Sequence, residues 1–413
     1  MSKIRLCYDK VVGINQKLYL SVNTGSSSLK VAVFNDQLTR LVTASASDIG
    51  LDNAKLSITK ADSTQTEQHK LQDHQQAAEL IFNRLTINEL GTVAGIGHRI
   101  VHGGPNYSTP VLIDEPVISE LTRLISFDPD HMPAALRLIN WCAEQFVNIS
   151  QIACFDTNFY SRLPAVATTI ALPKQYQAMG LRRYGFHGLS YEYVLSDFKQ
   201  RAGETAANGR VIMAHLGSGA SLTATLQAQA VDTTMSFSPS SGIVMSTRSG
   251  DIDPGIVSFL KQQADLSDED FDKMINKQSG LLGVSGLSGD MELLIQRSAD
   301  DQDAALAVEL FCYQARKAIG SLAATLNGLD SLIFSGGIGE NSALIRQKIC
   351  TGLNYLGVEL DPERNHNHDF LISGSNSQVG VHVIQTDEAA VIAAKTLKTI
   401  QEQEGGNNHA TNQ

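Results

Sequence analysis

Two arginines of this chain stand in glycine-rich segments that lack the periodicity of a helix or a strand. Arg99 lies in GHRIVHGG and Arg248 lies in MSTRSGDIDPG. Most arginines of a protein are solvated surface charges, but the flanking glycines and the nearby His98, His102 and Asp251 predict ordered loops here. A guanidinium group can donate two parallel charge-assisted hydrogen bonds to a carboxylate or a phosphoryl group. The two positions therefore predict a site for small anions.

Two turns rich in glycine and serine, each between alternating strands, have the donors that phosphate needs. The first runs from Asn23 to Ser28, with Lys30 nearby as a cation, and the second contains HLGSGAS from His215 to Ser221. Backbone N–H groups and hydroxyls in such turns can bind phosphate oxygens, although an ordinary polar hairpin has the same composition. The P-loop pattern and the protein-kinase motifs are absent. Phosphate chemistry in this chain is therefore expected to use hairpins.

A third glycine segment follows a short apolar run. Ser331 to Phe334 predicts a strand, SGGIGEN follows from Ser335 to Asn341, and a helical pattern comes next. A strand, a glycine turn and a helix start allow a nucleotide to approach bare backbone. A plain tight turn is the alternative interpretation of this segment.

Three histidines occur in the same kind of context. His131 lies in DPDHMP, His187 in RRYGFHGLSYEYV and His215 in AHLGSGAS. A lone histidine is more often structural than catalytic, but three of them inside such motifs favour a functional site.

Asp156 and a pair of histidines lie in two further segments of the sequence. Asp156, in CFDTNFY, follows a short apolar stretch and is predicted to stand where a strand ends. His366 and His368 lie in ERNHNHDF, a polar run that predicts a loop rather than a metal site.

The elements that must position these residues predict an α/β fold. Apolar residues alternate on both sides of the turn between Lys17 and Phe34, which predicts two strands joined by that turn. A second strand–turn–strand pattern is predicted from Val211 to Leu226. The turn glycines, Gly25 and Gly217, stand 192 positions apart, which indicates a duplicated domain rather than a short repeat. Strands alternate with helical stretches such as Asp303–Leu326, which is typical of the α/β class.

Composition limits the partners and the compartment. The 413 residues are ample for two cores, and 32 basic against 43 acidic residues give a net charge of −11. An acidic chain argues against nucleic acid and against anionic membranes as main partners. No apolar run approaches a membrane span, and the N-terminal segment has no signal-peptide pattern. Five scattered cysteines read as thiols of a reducing compartment, so a cytoplasmic protein is expected: Cys7, Cys142, Cys154, Cys312 and Cys350.

Eight motifs in order resemble the acetate and propionate kinases, from about residue 18 to about residue 398. They are NTGSSSLK, GHRIVHGG, FDTNFYSRLP, RRYGFHGLS, AHLGSGAS, STRSGDIDP, SGGIGENS and TDEAAVIA. The resemblance implies the two-domain fold shared by acetate kinase, sugar kinases, actin and heat-shock chaperones, with a central nucleotide cleft. It also implies a homodimer that uses Mg²⁺ (or Mn²⁺) and ATP or ADP. The expected domains are residues 1–153, completed by a C-terminal helix at about 389–404, and residues 154–388.

The resemblance also implies a role for individual residues. Arg99, Arg248, Asp156 and His187 match the catalytic positions, and Asn23 and Glu388 match the magnesium site. The acid is expected to contact Arg99, Val101, Asp130, Phe186 and Pro239. The nucleotide and its phosphates are expected to contact Ser26, Ser28, Lys30, His215, Gly217, Ser218, Gly219, Asp290, Met291, Glu292, Gly337, Ile338, Gly339, Glu340 and Asn341.

The chemistry of such a reaction explains these residue types. A carboxylate is ionised at neutral pH, since its pKa is about 4–5, and it needs no general base to attack phosphorus. It needs relief from charge repulsion, because an anion approaches a polyanion. We therefore expect Arg99 to hold the carboxylate, Arg248 with His187 to bind the phosphoryl oxygens, and Asp156 to orient Arg99 or a magnesium-bound water.

Several substitutions depart from the family pattern. The family motif A-P-L-H-N-P is replaced by DPDHMP from Asp128 to Pro133, so Asp130 stands in place of a leucine of the methyl pocket. Glu292 replaces an arginine near the adenine, Ser218 replaces an asparagine, and Tyr191 replaces a histidine. Three alternatives therefore stay open: pyrophosphate as the donor, an acid with a polar tail as the acceptor, and a degenerate nucleotide-binding module.

Overall fold

The protein is described here by a computed structural model that covers residues 16–61 and 63–410, with only the backbone of 406–410. The N-terminal segment considered for a signal peptide lies largely outside these residues, as does Cys7. The strands of the described residues are β1 Lys17–Thr24, β2 Leu29–Asn35, β3 Arg40–Ser47, β4 Ala54–Lys60, β5 Ser63–His69, β6 Thr92–Ile100, β7 Val111–Leu112, β8 Gln151–Phe155, β9 Val211–Leu216, β10 Ala220–Leu226, β11 Gln229–Thr233, β12 Ser331–Ser335 and β13 Gly380–Val383.

The α-helices of the described residues vary from four to 25 residues in length. They are α1 His74–Leu85, α2 Ile87–Leu90, α3 Glu115–Arg123, α4 Met132–Gln145, α5 Ala165–Thr168, α6 Lys174–Gln177, α7 Gly188–Ala202, α8 Glu204–Ala207, α9 Pro254–Gln263, α10 Asp268–Lys273, α11 Gly280–Ser285, α12 Met291–Arg297, α13 Gln302–Leu326, α14 Gly336–Asn341, α15 Ala343–Cys350, α16 Pro362–His366 and α17 Glu388–Ala410. Among the residues described, none of these helices is both long and apolar enough to cross a membrane.

The chain forms two compact units. The first unit runs to Asn158 and resumes at Asp387, and the second is Phe159–Thr386. The domain boundaries that we predicted, after residue 153 and after residue 388, stay a prediction. Each unit has its own mixed sheet, in the order β5-β4-β3-β2-β1-β6-β8-β7 in the first and β11-β10-β9-β12-β13 in the second.

The two sheets share a five-strand arrangement. In the first unit β3, β2 and β1 are antiparallel neighbours, and β6 and β8 follow in parallel. In the second unit β11, β10 and β9 are antiparallel neighbours, and β12 and β13 follow in parallel. The same order and the same directions confirm the duplicated α/β fold predicted from the repeated turn.

The alternating apolar residues of β1 and β2 are buried against different layers on the two faces of the first sheet. Leu18, Leu20 and Val22 belong to a core cluster with residues of α1 and α4. On the other face, Phe34 packs against Ala393 of α17. The strands between Lys17 and Phe34 are therefore confirmed, and the predicted helix Asp303–Leu326 is confirmed as α13.

The predicted loop around Arg99 is wrong, because Arg99 lies in strand β6. The glycines on this strand serve close packing rather than a turn. A Cβ atom at Gly97 would lie 2.1 Å from Thr396 Oγ1, and one at Gly95 would lie 2.3 Å from Ile400 Cδ1. Thr396 and Ile400 belong to α17, so the glycines allow this helix to approach the sheet.

Two further local predictions were wrong. His366 ends helix α16, which begins with Asp361 as N-cap and Pro362 at its first position, rather than lying in a loop. The SGGIGEN segment is itself the short helix α14 instead of a turn before a helix. Gly336 enters it with φ of +75°, and a Cβ there would lie 2.7 Å from Leu216 O. Only glycine fits this start without strain.

Candidate active site

Four predicted site residues of the first unit form one chain of polar contacts. Arg99 donates from Nε and Nη2 to Asp156 Oδ2 at 3.1 and 2.6 Å. Arg99 Nη1 donates to Asn23 Oδ1 at 3.2 Å, and Asn23 Nδ2 donates to Glu388 Oε2 at 2.6 Å. These contacts therefore join residues that are as far apart in the sequence as Asn23 and Glu388.

The sheet explains why these side chains meet. Arg99 is near the C-terminal end of β6, and Asp156 directly follows β8, as predicted. The two strands are parallel neighbours, with Arg99 opposite Cys154, so their carboxyl ends share an edge. Asn23 lies near the end of β1, which is the other parallel neighbour of β6, and Glu388 begins α17.

The Arg99–Asp156 pair is buried, with the side chain of Asp156 fully inaccessible and that of Arg99 15% exposed. Burial alone would lower the pKa of Arg99, but the charges of Asp156 and Glu388 raise it above its ordinary value. Burial raises the pKa of the Asp156 carboxyl, and the guanidinium acts in the opposite sense. Asp156 Oδ1 is buried and has no hydrogen-bond partner among the described residues.

The β1–β2 turn presents hydroxyls outward. Ser26 and Lys30 are exposed, and Ser28 is half-buried. The turn closes through a hydrogen bond from Gly25 N to Ser28 O at 2.8 Å. His74 Nε2 lies 2.8 Å from Gly25 O and ties the turn to the first residue of α1. Sequence reasoning missed His74, because no nearby motif pointed to this contact across 49 residues.

In the second unit, His187 and His215 stack with ring centroids 4.4 Å apart. His187 Nδ1 lies 2.8 Å from Ser221 Oγ, and His215 Nδ1 lies 2.7 Å from Ser190 Oγ. His187 has φ of 59° directly before α7, a left-handed conformation that is uncommon outside glycine. The two serines therefore orient both rings, and each ring keeps its Nε2 atom away from these contacts.

The β9–β10 turn lies against both histidines. A Cβ atom on Gly219 would lie 3.3 Å from His187 Nε2 and 3.8 Å from Arg248 Nη1. A Cβ on Gly217 would lie 3.8 Å from Gly337 N. Gly219 therefore leaves space beside His187 and Arg248, and Gly217 leaves space beside the start of α14.

The other residues of this turn region have separate contacts. Arg248 lies outside regular structure, as predicted, and its Nη1 donates to Pro239 O at 3.2 Å. Ser218 is exposed at the tip of the turn. Tyr191, one of the family departures, is fully buried and its hydroxyl donates to Ser221 O at 2.7 Å.

Helix α14 is held by two of its own side chains and by Arg346 of α15. Glu340 Oε1 accepts hydrogen bonds from Gly336 N at 2.9 Å and Thr386 N at 3.0 Å. Asn341 Nδ2 donates to Gly337 O at 2.9 Å, and Gly337 is exposed at the helix start. Arg346, fully buried, donates to Gly339 O at 2.8 Å, and burial lowers its pKa to about 10.

The remaining predicted nucleotide residues lie at the start of α12. Asp290 is the N-cap and accepts from Leu293 N at 2.8 Å, while Met291 is buried. Glu292 is exposed in the first turn, where a negative charge is favourable at a helix N-terminus. The Glu292 substitution therefore suits the helix itself.

The predicted acid-binding residues divide between the units. Val101 is buried and Asp130 half-buried in the first unit. Phe186 and Pro239 are buried in the second unit, and the carbonyl of Phe186 accepts from Tyr160 OH at 2.9 Å. Sequence reasoning passed over Asp128, although the fold buries it next to His131, with His131 Nδ1 2.9 Å from Asp128 Oδ1.

No group of three or more His, Cys, Asp or Glu side chains arranged to hold a metal occurs among the described residues. His366 and His368 are not brought into such a group, and His368 Nδ1 lies 2.9 Å from Glu340 O.

Comparison with known proteins gives a consistent result. The model of the Acetokinase family matches residues 18–394. An acetate kinase of Nitrobacter hamburgensis is 41% identical over 397 residues, covering 92% of this chain and 96% of the relative. One of Rhodopseudomonas palustris is 43% identical over 303 residues, covering 73% and 76%. The crystal structure of a propionate kinase from Francisella tularensis matches with a TM-score of 0.86 and 35% identity, covering 93% of this chain and all of that one.

Proposed function

This chain belongs to the acetokinase family, and we propose that it transfers a phosphoryl group between ATP and a short-chain carboxylate with the aid of Mg²⁺. The family consists of acyl kinases that use ATP and ADP, so the chain is a phosphotransferase with a carboxyl group as acceptor. The products in the forward direction are ADP and an acyl phosphate such as acetyl phosphate.

One observation carries the assignment of residues: the contact chain from Asp156 through Arg99 and Asn23 to Glu388. It places a fixed guanidinium beside oxygen donors of the kind that a magnesium ion uses. A chaperone-like or degenerate binding module has no need to orient an arginine in this way. The contact chain therefore favours an enzyme over a binding module.

The reaction needs positioning and charge more than proton transfer. One carboxylate oxygen attacks the γ-phosphorus, a new O–P bond forms, and the bond to the β–γ bridging oxygen breaks, so that ADP leaves with that electron pair. Arg99 holds the acid, and Asp156 fixes the plane of its guanidinium. Arg248 and His187, which both lie against Gly219, bind the oxygens of the phosphoryl group.

The residues of the first unit fit a magnesium ion. Glu388 and Asn23 supply oxygen donors, and Asp156 Oδ1 is a buried carboxylate oxygen without a hydrogen-bond partner among the described residues. Mg²⁺ is commonly held by one or two carboxylates together with substrate phosphates and water. When bound, the ion supplies positive charge to the phosphate oxygens.

The phosphates of the nucleotide would contact two glycine turns and the start of α14. Gly337 N and His215 Nε2 both lie within 4.0 Å of the space beside Gly217. The exposed hydroxyl of Ser26 and the cation of Lys30 serve the same purpose in the first unit.

We further propose a homodimer in the cytoplasm. Helix α9 buries none of its residues, and its Phe259 is 62% exposed. This helix therefore offers an apolar surface that a second copy of the protein could cover. The four described cysteines are buried thiols, and burial raises the pKa of Cys312 and Cys350 to about 12. Such thiols are compatible with a reducing compartment.

The test is a hydroxamate assay with the purified chain, magnesium, hydroxylamine and either ATP or pyrophosphate as donor. Acetate, propionate, glycolate and lactate are compared as acceptors. We expect hydroxamate from ATP with acetate or propionate at rates at least tenfold above those with pyrophosphate. Equal or faster product from pyrophosphate would assign the other donor, and no product from any pair would leave only the binding module.

A further inference from the structure

Asp128 and His131 form a buried carboxylate–histidine pair just before α4. His131 Nδ1 lies 2.9 Å from Asp128 Oδ1, and the side chains are 11% and 3% exposed. His131 precedes the first residue of α4, and its side chain makes no capping bond to that helix. The backbone is held independently, since Met132 N donates to Asp128 O at 3.2 Å. The side-chain pair is therefore not needed to begin the helix.

The pair lies in the same part of the first unit as the Arg99–Asp156 pair. Ile100, Met132 and Phe155, which are the chain neighbours of Arg99, His131 and Asp156, belong to one hydrophobic cluster. The charges also interact: burial lowers the pKa of Arg99, and the Asp128 carboxylate is among the groups that raise it, after Asp156 and Glu388. The core thus holds both pairs in one part of the first unit.

The contact determines which nitrogen of the ring faces Asp128. A carboxylate oxygen can only accept, so Nδ1 carries the proton that is shared with Asp128. Nε2 is then the ring nitrogen that points away from Asp128, and the ring can no longer turn freely about its side-chain bonds. Carboxylates in this position fix the tautomer and orientation of histidines at functional sites.

Asp128 Oδ2 adds a second indication. It is buried and has no hydrogen-bond partner among the described residues. A buried unsatisfied oxygen lowers stability, and such features are concentrated at functional sites. In addition, Asp128 stands where the family motif A-P-L-H-N-P begins with alanine.

We propose that Asp128 is a positioning residue for the acid acceptor, acting through His131, whose Nε2 it directs toward the anion held by Arg99. This inference rests on the proposed function, because it requires that Arg99 holds the acid acceptor. A purely structural pair would stabilise the fold without any preference for one substrate.

The experiment compares Asp128→Ala, Asp128→Asn, His131→Gln and the double variant Asp128→Ala/His131→Gln with the parent enzyme. The matched control is Glu67→Ala, which breaks another carboxylate–histidine pair of the first unit, Glu67 with His69 on β5. Steady-state kinetics give kcat and the KM values for the acid and for ATP. Histidine ¹⁵N NMR, with the His131 signal assigned by its loss in His131→Gln, reports the tautomer.

We expect Asp128→Ala to lower kcat/KM for the acid by about 10–100-fold, the range for residues that orient another functional group, and to keep the KM for ATP within about twofold. Asp128→Asn, whose amide oxygen still accepts from Nδ1, should restore most of the loss and the tautomer. The double variant should be no worse than His131→Gln, because the two residues act as a unit. Glu67→Ala should match the parent.

Three results would overturn the inference in an active parent enzyme: parent-like acid kinetics in Asp128→Ala, equal losses for acid and ATP, or an unchanged His131 tautomer. Full additivity in the double variant would also contradict it. An inactive parent would instead count against the proposed function, and the NMR comparison of the tautomer would still decide whether Asp128 orients the ring.

Discussion

At the residue scale, the sequence predicted the residue types and motifs of the candidate site, whereas it did not predict the contacts between them. The pairing of Arg99 with Asp156 joins two neighbouring strands, and nothing local to either motif indicates the partner. Asp130 was singled out as the unusual aspartate, but the fold half-buries it and buries Asp128. The burial of the Asp128 side chain depends on how α3 and α4 pack, and a short sequence motif does not predict this packing.

The first residue-scale prediction concerns the two arginines. Arg99→Ala and Arg248→Ala should each lower kcat by about 10²–10³, the loss typical of a preorganised donor to the transition state. The control is Arg84→Ala, since Arg84 is an exposed arginine of the first unit paired with Glu67. Thermal unfolding shows whether the variants fold. Turnover within a few-fold of the parent would remove that arginine from the mechanism.

At the element scale, alternation predicted the strands well because each face of a strand packs on a different layer. The glycine-rich segments were harder, since glycine permits a turn, a helix start and close packing alike. On β6, Gly95 and Gly97 make room for α17, so the interpretation of Arg99 as a loop residue was wrong. At α14, a segment rich in a poor helix former is helical because Glu340, Asn341 and Arg346 bond its backbone.

The element-scale prediction separates adjacent glycines of α14. Gly336→Ala should lower the free energy of unfolding by about 1–3 kcal/mol, because its φ is positive and the new Cβ meets the backbone of Leu216. Gly337→Ala should leave that free energy unchanged within about 0.5 kcal/mol, since a Cβ there meets nothing within 4 Å. Urea denaturation measures both.

Nucleotide titration completes this comparison. If Gly337 N contacts a phosphate, Gly337→Ala should weaken ATP binding while the fold stays intact. Equal stability losses in the two variants would contradict the account of the helix start.

At the scale of the whole molecule, the duplicated arrangement of strands was predictable from two similar turns half a chain apart. The return of the C-terminal helix to the first unit was expected only from the family resemblance, because no local pattern of the sequence indicates which unit α17 joins. The net charge of −11 also does not indicate where individual charges meet, since the fold of the first unit, rather than neighbouring sequence, brings Arg99 to Asp156.

Each unit carries a buried histidine whose pKa predicts acid sensitivity. Burial lowers the pKa of His98 in the first unit to about 4, and that of His382 in the second to about 4. The ordinary value is 6.5, so between these limits the unfolded state binds more protons. The stabilisation is therefore complete above pH of about 6.5 and is lost as the pH falls toward about 4.

His382→Phe tests this account, because His382 packs against Phe198 and Phe370 at centroid distances of 4.9 and 4.8 Å. Between pH 7 and pH 5, the variant should lose about 1–2 kcal/mol less unfolding free energy than the parent. Urea denaturation at both pH values gives the difference. The same pH dependence in parent and variant would show that His382 does not titrate with unfolding.

The most direct test of the central claim follows the oxygen that the acid contributes. The parent enzyme is incubated with Mg²⁺, ATP and acetate labelled with ¹⁸O in both carboxylate positions, and the products are observed by ³¹P NMR. Attack by the carboxylate predicts ADP together with acetyl phosphate whose phosphorus shows the isotope shift of an ¹⁸O bridge. Formation of ADP with unlabelled inorganic phosphate, or no consumption of ATP, would contradict the account.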